Sequence, residues 1–270
     1  MPVVHLDDRD DPRIAPYRNV PDPELLRTHG LFVAEGRLVV RTLLTASPLR
    51  TRSLLVTETA LSDLRDLADS RADIPVFVAP QRVLSDIVGF NIHRGCLALG
   101  ERPPVRSLCE LLEIDASRLV VLENVSNADN VGGIFRSVAA LGGDGVVMGP
   151  HCCDPLYRKA IRTSIGASLV VPFGDADAWP GAMDLLRAAG CRVVALTPGA
   201  GARSLEEVAA GLSREERLAV VAGAEGTGLT EAALGRADVH VRIPMTPGMD
   251  SLNVTVAVGI ALHRLARVRV

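Results

Sequence analysis

From Leu119 to Ile243 the chain repeats one pattern: a short continuous apolar run, a turn, then a helix-length segment. The runs are Leu119-Val120-Val121-Leu122, Gly145-Val146-Val147-Met148, Leu169-Val170-Val171, Arg192-Val193-Val194-Ala195-Leu196, Leu218-Ala219-Val220-Val221 and Val239 to Ile243. A strand with one face in water would alternate apolar with polar residues; continuous runs belong in a mainly parallel sheet covered on both faces by helices. Those helices are expected at about Val131 to Ala140, Leu156 to Ser164, Met183 to Ala189, Leu205 to Ala209 and Glu231 to Leu234. Ligands of such α/β sheets bind beyond the carboxyl ends of the strands. The loops to watch are therefore 124–130, 197–203, 223–228 and 244–251.

The first hundred residues show a shorter version of the same alternation. Strands are expected at Leu31-Phe32-Val33-Ala34, Ser53-Leu54-Leu55-Val56, Pro75-Val76-Phe77-Val78 and Cys96-Leu97-Ala98-Leu99, with helices at Gly36 to Leu44, Thr59 to Ala68 and Gln81 to Ile87. Residues 1–22 carry four prolines among charges and read as an extended arm. The resulting division is an arm (1–22), a small α/β domain (23–100), a linker opened by Glu101-Arg102-Pro103-Pro104 (101–117) and a larger α/β domain (118–270).

Composition narrows the function. With 48% hydrophobic residues the chain has ample material for a core, yet no apolar run reaches the 18 residues of a membrane span. The polar, acidic start lacks a signal-peptide pattern, and a cytoplasmic location is expected. The five cysteines have no metal-ligand spacing and read as reduced structural thiols, and no metal is expected. A net charge of −3 excludes a general basic field. Only 3% of residues are aromatic, which argues against a stacking platform for single strands. Of 29 cationic residues Lys159 is the single lysine, and the others are arginines. Genome composition explains most of these; a need for planar, bidentate phosphate contacts is the functional alternative.

Four stretches could carry chemistry. In Ile243-Pro244-Met245-Thr246-Pro247-Gly248-Met249-Asp250-Ser251-Leu252-Asn253, a strand is stopped by two prolines and Gly248 before a helix begins. Asp250 or Ser251 is expected to cap that helix, which is apolar almost all round, hence expected to be buried, and closes with Arg264, Arg267 and Arg269. Ser251 and Asn253 at its mouth either cap it or face a ligand. Asn127-Ala128-Asp129-Asn130-Val131-Gly132-Gly133-Ile134-Phe135-Arg136 runs from a strand end into a helix; it is neither a Walker loop nor GxGxxG. An Asx cap with a surface arginine competes with a ligand site there. Gly223-Ala224-Glu225-Gly226-Thr227-Gly228-Leu229 follows a buried strand. Glu225 would repel a phosphate, so the loop suits a neutral or cationic ligand, with a plain tight turn as the alternative. Arg158, Lys159 and Arg162, on one expected helix, form the densest basic patch, either a solvated face or a phosphate clamp.

Together these segments resemble the three motifs of the SpoU (TrmH) family of RNA ribose methyltransferases, in the SPOUT superfamily. Asn130 and Arg136, with Leu141-Gly142, match the first motif; Gly223, Glu225, Gly228 and Leu229 the second; Ile243-Pro244-Met245 and Ser251-Leu252-Asn253 the third. Arg162-Thr163-Ser164-Ile165-Gly166-Ala167 is similar to a further recurrent stretch. The likeness runs from about Arg118 to Arg267, and Asp129 departs from it where many members have glycine. Phe32-Val33-Ala34-Glu35-Gly36-Arg37-Leu38-Val39 and His93-Arg94-Gly95-Cys96-Leu97-Ala98 resemble, less strongly, the small substrate-binding domain preceding many members.

The resemblance implies a trefoil-knotted C-terminal domain, a preceding RNA-binding domain, and a homodimer whose sites draw on both chains. It implies S-adenosylmethionine (S-adenosyl-L-methionine) as cofactor, held around Leu196, Thr197, Pro198, Gly223, Glu225, Gly228, Ile243, Met245 and Leu252. The implied reaction is methyl transfer to a ribose 2'-hydroxyl of structured RNA, ribosomal or transfer, without metal or membrane. Arg136, Asn130, Glu225, Ser251 and Asn253 would form the catalytic site, and Arg158, Lys159 and Arg162 would bind substrate. A non-catalytic RNA-binding or ribosome-assembly protein on the same fold is the alternative, disfavoured because neither Arg136 nor Asn253 is lost.

Overall fold

The computed structural model describes residues 1–270 apart from 19–20, 69–70, 72, 89–94, 115, 200, 214 and 266–270. His93 and Arg94 of the second family-like stretch, and Arg267 and Arg269 at the end of the final helix, lie outside the described residues. The chain forms two compact units, residues 1–104 with 155–170, and residues 105–154 with 171–270.

The first unit runs β1 (Val3–His5), a 3-10 helix (Pro12–Tyr17), α1 (Asp22–His29), β2 (Leu31–Glu35), α2 (Arg37–Thr45), β3 (Thr51–Val56), α3 (Glu58–Asp63), α4 (Arg65–Ala68), β4 (Val76–Val78), α5 (Gln81–Val88) and β5 (Cys96–Glu101). Its sheet has the order β1-β4-β3-β5-β2; the first three strands are parallel, and β5 runs antiparallel to both its neighbours. The expected extended arm is instead part of this fold. β1 pairs with β4, and Leu6, Ile14 and Tyr17 are buried in the unit's core. The Tyr17 hydroxyl reaches the backbone oxygen of Ser53 at 2.9 Å, so the prolines shape a packed segment that still satisfies its one buried polar tip. The helix expected over 59–68 is broken at Leu64, which leaves helical geometry and is buried.

The second unit begins with α6 (Leu108–Leu112), β6 (Arg118–Glu123), α7 (Ala128–Ala140) and β7 (Gly145–Met148). The chain then returns to the first unit for α8 (Arg158–Thr163) and a 3-10 turn (Ala167–Leu169). It completes the second unit with β8 (Phe173–Asp175), α9 (Ala182–Ala188), β9 (Cys191–Leu196), β10 (Arg203–Ser204), α10 (Leu205–Ala210), β11 (Arg217–Gly223), α11 (Glu231–Leu234), β12 (Val239–Arg242) and α12 (Val254–Leu265). The segment expected as a linker holds α6, closed by a Ser107–Glu110 capping box; its Leu108 and Leu111 are buried in this unit's core. The strand expected at Leu169-Val170-Val171 is displaced to Phe173–Asp175, because Gly166 turns left-handed and Leu169 falls in the 3-10 turn that follows.

The seven strands are all parallel in the order β10-β12-β9-β11-β6-β7-β8. Successive strand residues point to opposite faces, and the packing shows it. Val193, Ala195, Ala219 and Val221 pack with α6, α9 and α11 on one face. Val194, Leu218, Val220 and Val241 pack with α10 and α12 on the other. The continuous apolar runs are thus explained by burial on both sides. No described helix is long and apolar enough to cross a membrane.

The N-terminal segment should contribute to stability as a core element does. Ile14→Ala, at a fully buried site, should lower the free energy of unfolding by about 2–5 kcal/mol. Urea denaturation followed by circular dichroism checks this, and an unchanged midpoint would mean the segment is only loosely attached.

Candidate active site

β9, β11 and β12 end side by side, with Val221 opposite Ala195 and Val241 opposite Leu196. Beyond their carboxyl ends lies a pocket of about 340 Å³. Three loops wall it: Thr197-Pro198 after β9, Gly223 to Gly226 with Gly228 after β11, and Ile243, Met245 and Asp250 to Leu252 after β12. All nine residues expected to hold the cofactor, namely Leu196, Thr197, Pro198, Gly223, Glu225, Gly228, Ile243, Met245 and Leu252, line this one pocket.

The glycine loop owes its shape to its own backbone. A Cβ on Gly223 would stand 2.3 Å from the carbonyl carbon of Gly228, so the strand end and the returning loop touch main chain to main chain. Ala224 accepts a hydrogen bond from the Gly228 N–H at 3.0 Å, and Gly226 and Gly228 have positive φ. Behind the loop stands Glu123, the last residue of β6 and fully buried. Its carboxylate accepts from Trp179 Nε1 (2.5 Å), the Thr230 hydroxyl (2.8 Å) and the Thr230 N–H (2.8 Å). Three donors satisfy a buried charge that would otherwise be costly. Sequence reading missed this role; a lone acid closing an apolar strand was its only signal. Asp250, considered only as a cap, is a second carboxylate in the pocket wall.

The polar centre of the site is Asn253. Its Oδ1 accepts from the N–H groups of Thr255 (2.9 Å) and Val256 (3.4 Å), which makes Asn253, and not Asp250 or Ser251, the cap of α12. Those two acceptor contacts fix which way the amide faces. Its Nδ2 therefore donates, to Asn130 Oδ1 at 3.0 Å and to Glu225 Oε1. The Thr255 hydroxyl adds a bond to the Asn130 carbonyl at 3.2 Å, and its methyl fills the space a Cβ on Gly133 would take. One side chain thus caps a helix and joins all three motif segments. Asn130 is 8% exposed and sits inside α7, which starts two residues before it and is capped by Asn127.

Other expected residues stand apart. Ser251 lines the pocket. Arg136 does not; its side chain is exposed and forms no hydrogen bond or ion pair among the described residues. Six residues after Asn130 on α7, it lies about 120° round the helix from it. α12 is not buried all round as expected: Val256 is 48% exposed. Arg158, Lys159 and Arg162 lie in the first unit, where the Arg158 backbone N–H donates to Asp22 at 2.9 Å, and the charge of Arg162 is balanced by Glu35 at 3.7 Å. None of the five cysteines forms a disulfide, and burial pushes the Cys152 thiol up to about 11. No cluster of three or more metal-ligating side chains occurs among the described residues.

Fold and pocket define an α/β protein that takes a small ligand at the carboxyl edge of a parallel sheet. The model of the SpoU rRNA Methylase family matches residues 117–263. An uncharacterized tRNA/rRNA methyltransferase of Mycobacterium bovis is 42% identical over 99% of this chain and 93% of its own length. The chain belongs to the SpoU rRNA methylase family and is an RNA methyltransferase of that family. The fold agrees with solved structures. An AdoMet-bound rRNA methyltransferase of Sinorhizobium meliloti gives a TM-score of 0.79 at 22% identity, over 97% of each chain. An RNA 2'-O ribose methyltransferase gives 0.75 at 22% identity, over 97% of this chain and 98% of the other.

The double duty of Asn253 can be separated by substitution. Asn253→Asp keeps an acceptor for the helix N–H groups but loses the donor and faces Glu225 with a second carboxylate. Asn253→Ala loses both functions and should cost about 1 kcal/mol of stability through the cap alone. Thermal unfolding should therefore rank wild type and the Asp variant above the Ala variant, whereas methylation should fall in both; equal activity of wild type and the Asp variant would remove the bridge from the site.

Proposed function

We propose that this protein transfers the methyl group of S-adenosylmethionine to a ribose 2'-hydroxyl of structured RNA, ribosomal or transfer, in the cytoplasm. The observation that carries the reading is the single amide bridge of Asn253, which ties the three motif segments together at the rim of one pocket. The pocket suits the cofactor. Its glycine wall leaves open space at Gly226 and Gly228, its lining is largely apolar, and Glu225 offers a carboxylate to a cationic sulfonium. The cofactor, when bound, supplies the methyl group; the side chains around it position and polarise. The fold likeness to an RNA 2'-O ribose methyltransferase supports the choice of acceptor.

Methyl transfer needs an in-line approach, so most of the catalysis is positioning. Asn130, Glu225, Ser251 and Asn253 hold the site's shape. Arg136 holds the ribose hydroxyl and stabilises the charge that develops on it; a guanidinium, with a pKa above about 12, is a poor base but a good donor. Arg136 does not line the pocket of its own chain and has no bond to the Asn253 bridge, which suits the shared site that the family resemblance implies, with the pocket of a second copy as its target. The reading is therefore a homodimer with shared sites, its interface including the exposed Val256 of α12. The knot that family resemblance implies is supported by the strand order, in which β11 enters between two strands that precede it.

Two measurements test this. Sedimentation at micromolar concentration should give twice the 28.6 kDa chain mass, and Arg136→Ala should lose about 10²–10³ in single-turnover rate while binding S-adenosylhomocysteine normally. Mixing inactive Arg136→Ala and Asn253→Ala chains should restore about a quarter of wild-type activity, because half the dimers are mixed and each mixed dimer has one intact site. No recovery on mixing, in a preparation shown to exchange chains, would confine each site to one chain.

The basic patch makes a separate prediction. Replacing Arg158 and Lys159 by alanine should reduce the slope of log affinity against log salt by roughly one unit for each phosphate no longer neutralised. Arg162→Ala should change it less, since Glu35 already balances that charge. Equal slopes for all variants would make the patch structural.

A further inference from the structure

The first unit holds a cleft of its own, about 500 Å³ in volume. It lies where three parallel strands end in register, with His5 opposite Val78 on one side and Val56 opposite Val78 on the other. The carboxyl edge of a parallel sheet is where such folds place ligands, and the volume falls in the range of small-molecule sites. His5, Leu6 and Asp7, at and after the end of β1, form one wall, so the cleft depends on β1 pairing into the unit. Its floor is aliphatic, made by Val78, Ala79 and Pro80.

Around that floor the polar groups are mixed. Arg37 and Gln81 bring donors, Thr59 a hydroxyl, and Glu58 a carboxylate that meets His5 Nδ1 at 3.3 Å. The Arg37 guanidinium pairs with Asp63 through Nη1, while its buried Nε has no hydrogen-bond partner. Asp7 adds a second acid to the lining. Two carboxylates make this a poor phosphate site. An aliphatic surface ringed by both donors and acceptors instead matches a nucleobase, which offers two faces for packing and an edge of donors and acceptors. Sequence-specific proteins read RNA in this way, by taking an unpaired base out of a loop or bulge.

We propose that this cleft binds one unpaired nucleoside of the substrate RNA and selects it by base, a reading that rests on RNA being the substrate. The floor packs against the base, and Arg37, Gln81 and Glu58 meet its edge. Selection by this cleft is separate from chemistry, since none of its residues lines the cofactor pocket.

The test uses the full chain saturated with S-adenosylhomocysteine, so that nucleotides do not report on the cofactor pocket. The probe is a pool of RNA hairpins with randomised loops; binding is followed by fluorescence anisotropy, and the retained fraction is sequenced. Wild type should enrich one base at one loop position. Thr59→Trp, an exposed position in the first turn of α3, plugs the cleft and should weaken binding and erase the enrichment. Gln81→Ala should relax the base preference with a smaller loss of affinity. Both variants must keep wild-type melting and S-adenosylhomocysteine affinity. If both bind the pool with unchanged affinity and preference, the cleft is not a base site, while the RNA reading stands. If wild type itself binds no member of the pool, the substrate class and the cleft fall together.

Discussion

The amide of Asn253 faces two ways, and the site depends on it. Its oxygen holds the start of α12 and its nitrogen holds Asn130 and Glu225. A hydroxyl could cap the helix, and a lysine could reach the carboxylate, but the amide presents an acceptor oxygen and a two-hydrogen donor nitrogen from one planar group and so does both at once. The geometry therefore couples local helix formation to long-range assembly. When α12 is capped, α7 and the glycine loop are brought to the same point, although the three residues are spread from position 130 to 253.

Below that polar junction the structure leaves little freedom. Gly223 and Gly228 touch through their backbones, Glu123 pins the start of α11 behind them, and the strands supply a rigid edge. Preorganisation of this kind is what a positioning mechanism needs, since misplacement by an ångström is costly in rate. Arg136 is the contrast. Its side chain is exposed and makes no hydrogen bond or ion pair among the described residues, so its own chain fixes the pocket without fixing the arginine.

Much of this was legible in the residues. Continuous apolar runs foretold a doubly covered parallel sheet, and the three motif segments are joined through Asn253, two of them lining one pocket. What could not be read were contacts between distant positions. Asp250, Ser251 and Asn253 are all candidate caps of α12, and the choice of Asn253 follows from the helix starting only at Val254, which residue type does not reveal. The N-terminal segment looked extended because prolines dominate local propensity, whereas burial of Ile14 and Tyr17 decides its fate. The strand at Phe173–Asp175 was hidden because glycine and aspartate are poor strand formers. α8 packing with the first unit was equally invisible, since it needs the chain to cross back after β7.

The place of β11 bears on how the chain is made. β6 is complete at residue 123 and β9 at residue 196, but the strand between them ends only at residue 223. At a ribosomal speed of about 5–20 residues per second, the hundred residues from 123 to 223 take roughly 5–20 s to appear. Throughout that interval one edge of β6 offers unpaired backbone groups and apolar side chains, the surface on which other nascent chains would pair. The vulnerable species for this protein is thus its own unfinished chain on the ribosome, and the interval closes when Leu218 to Gly223 slide into register with Arg118 to Glu123.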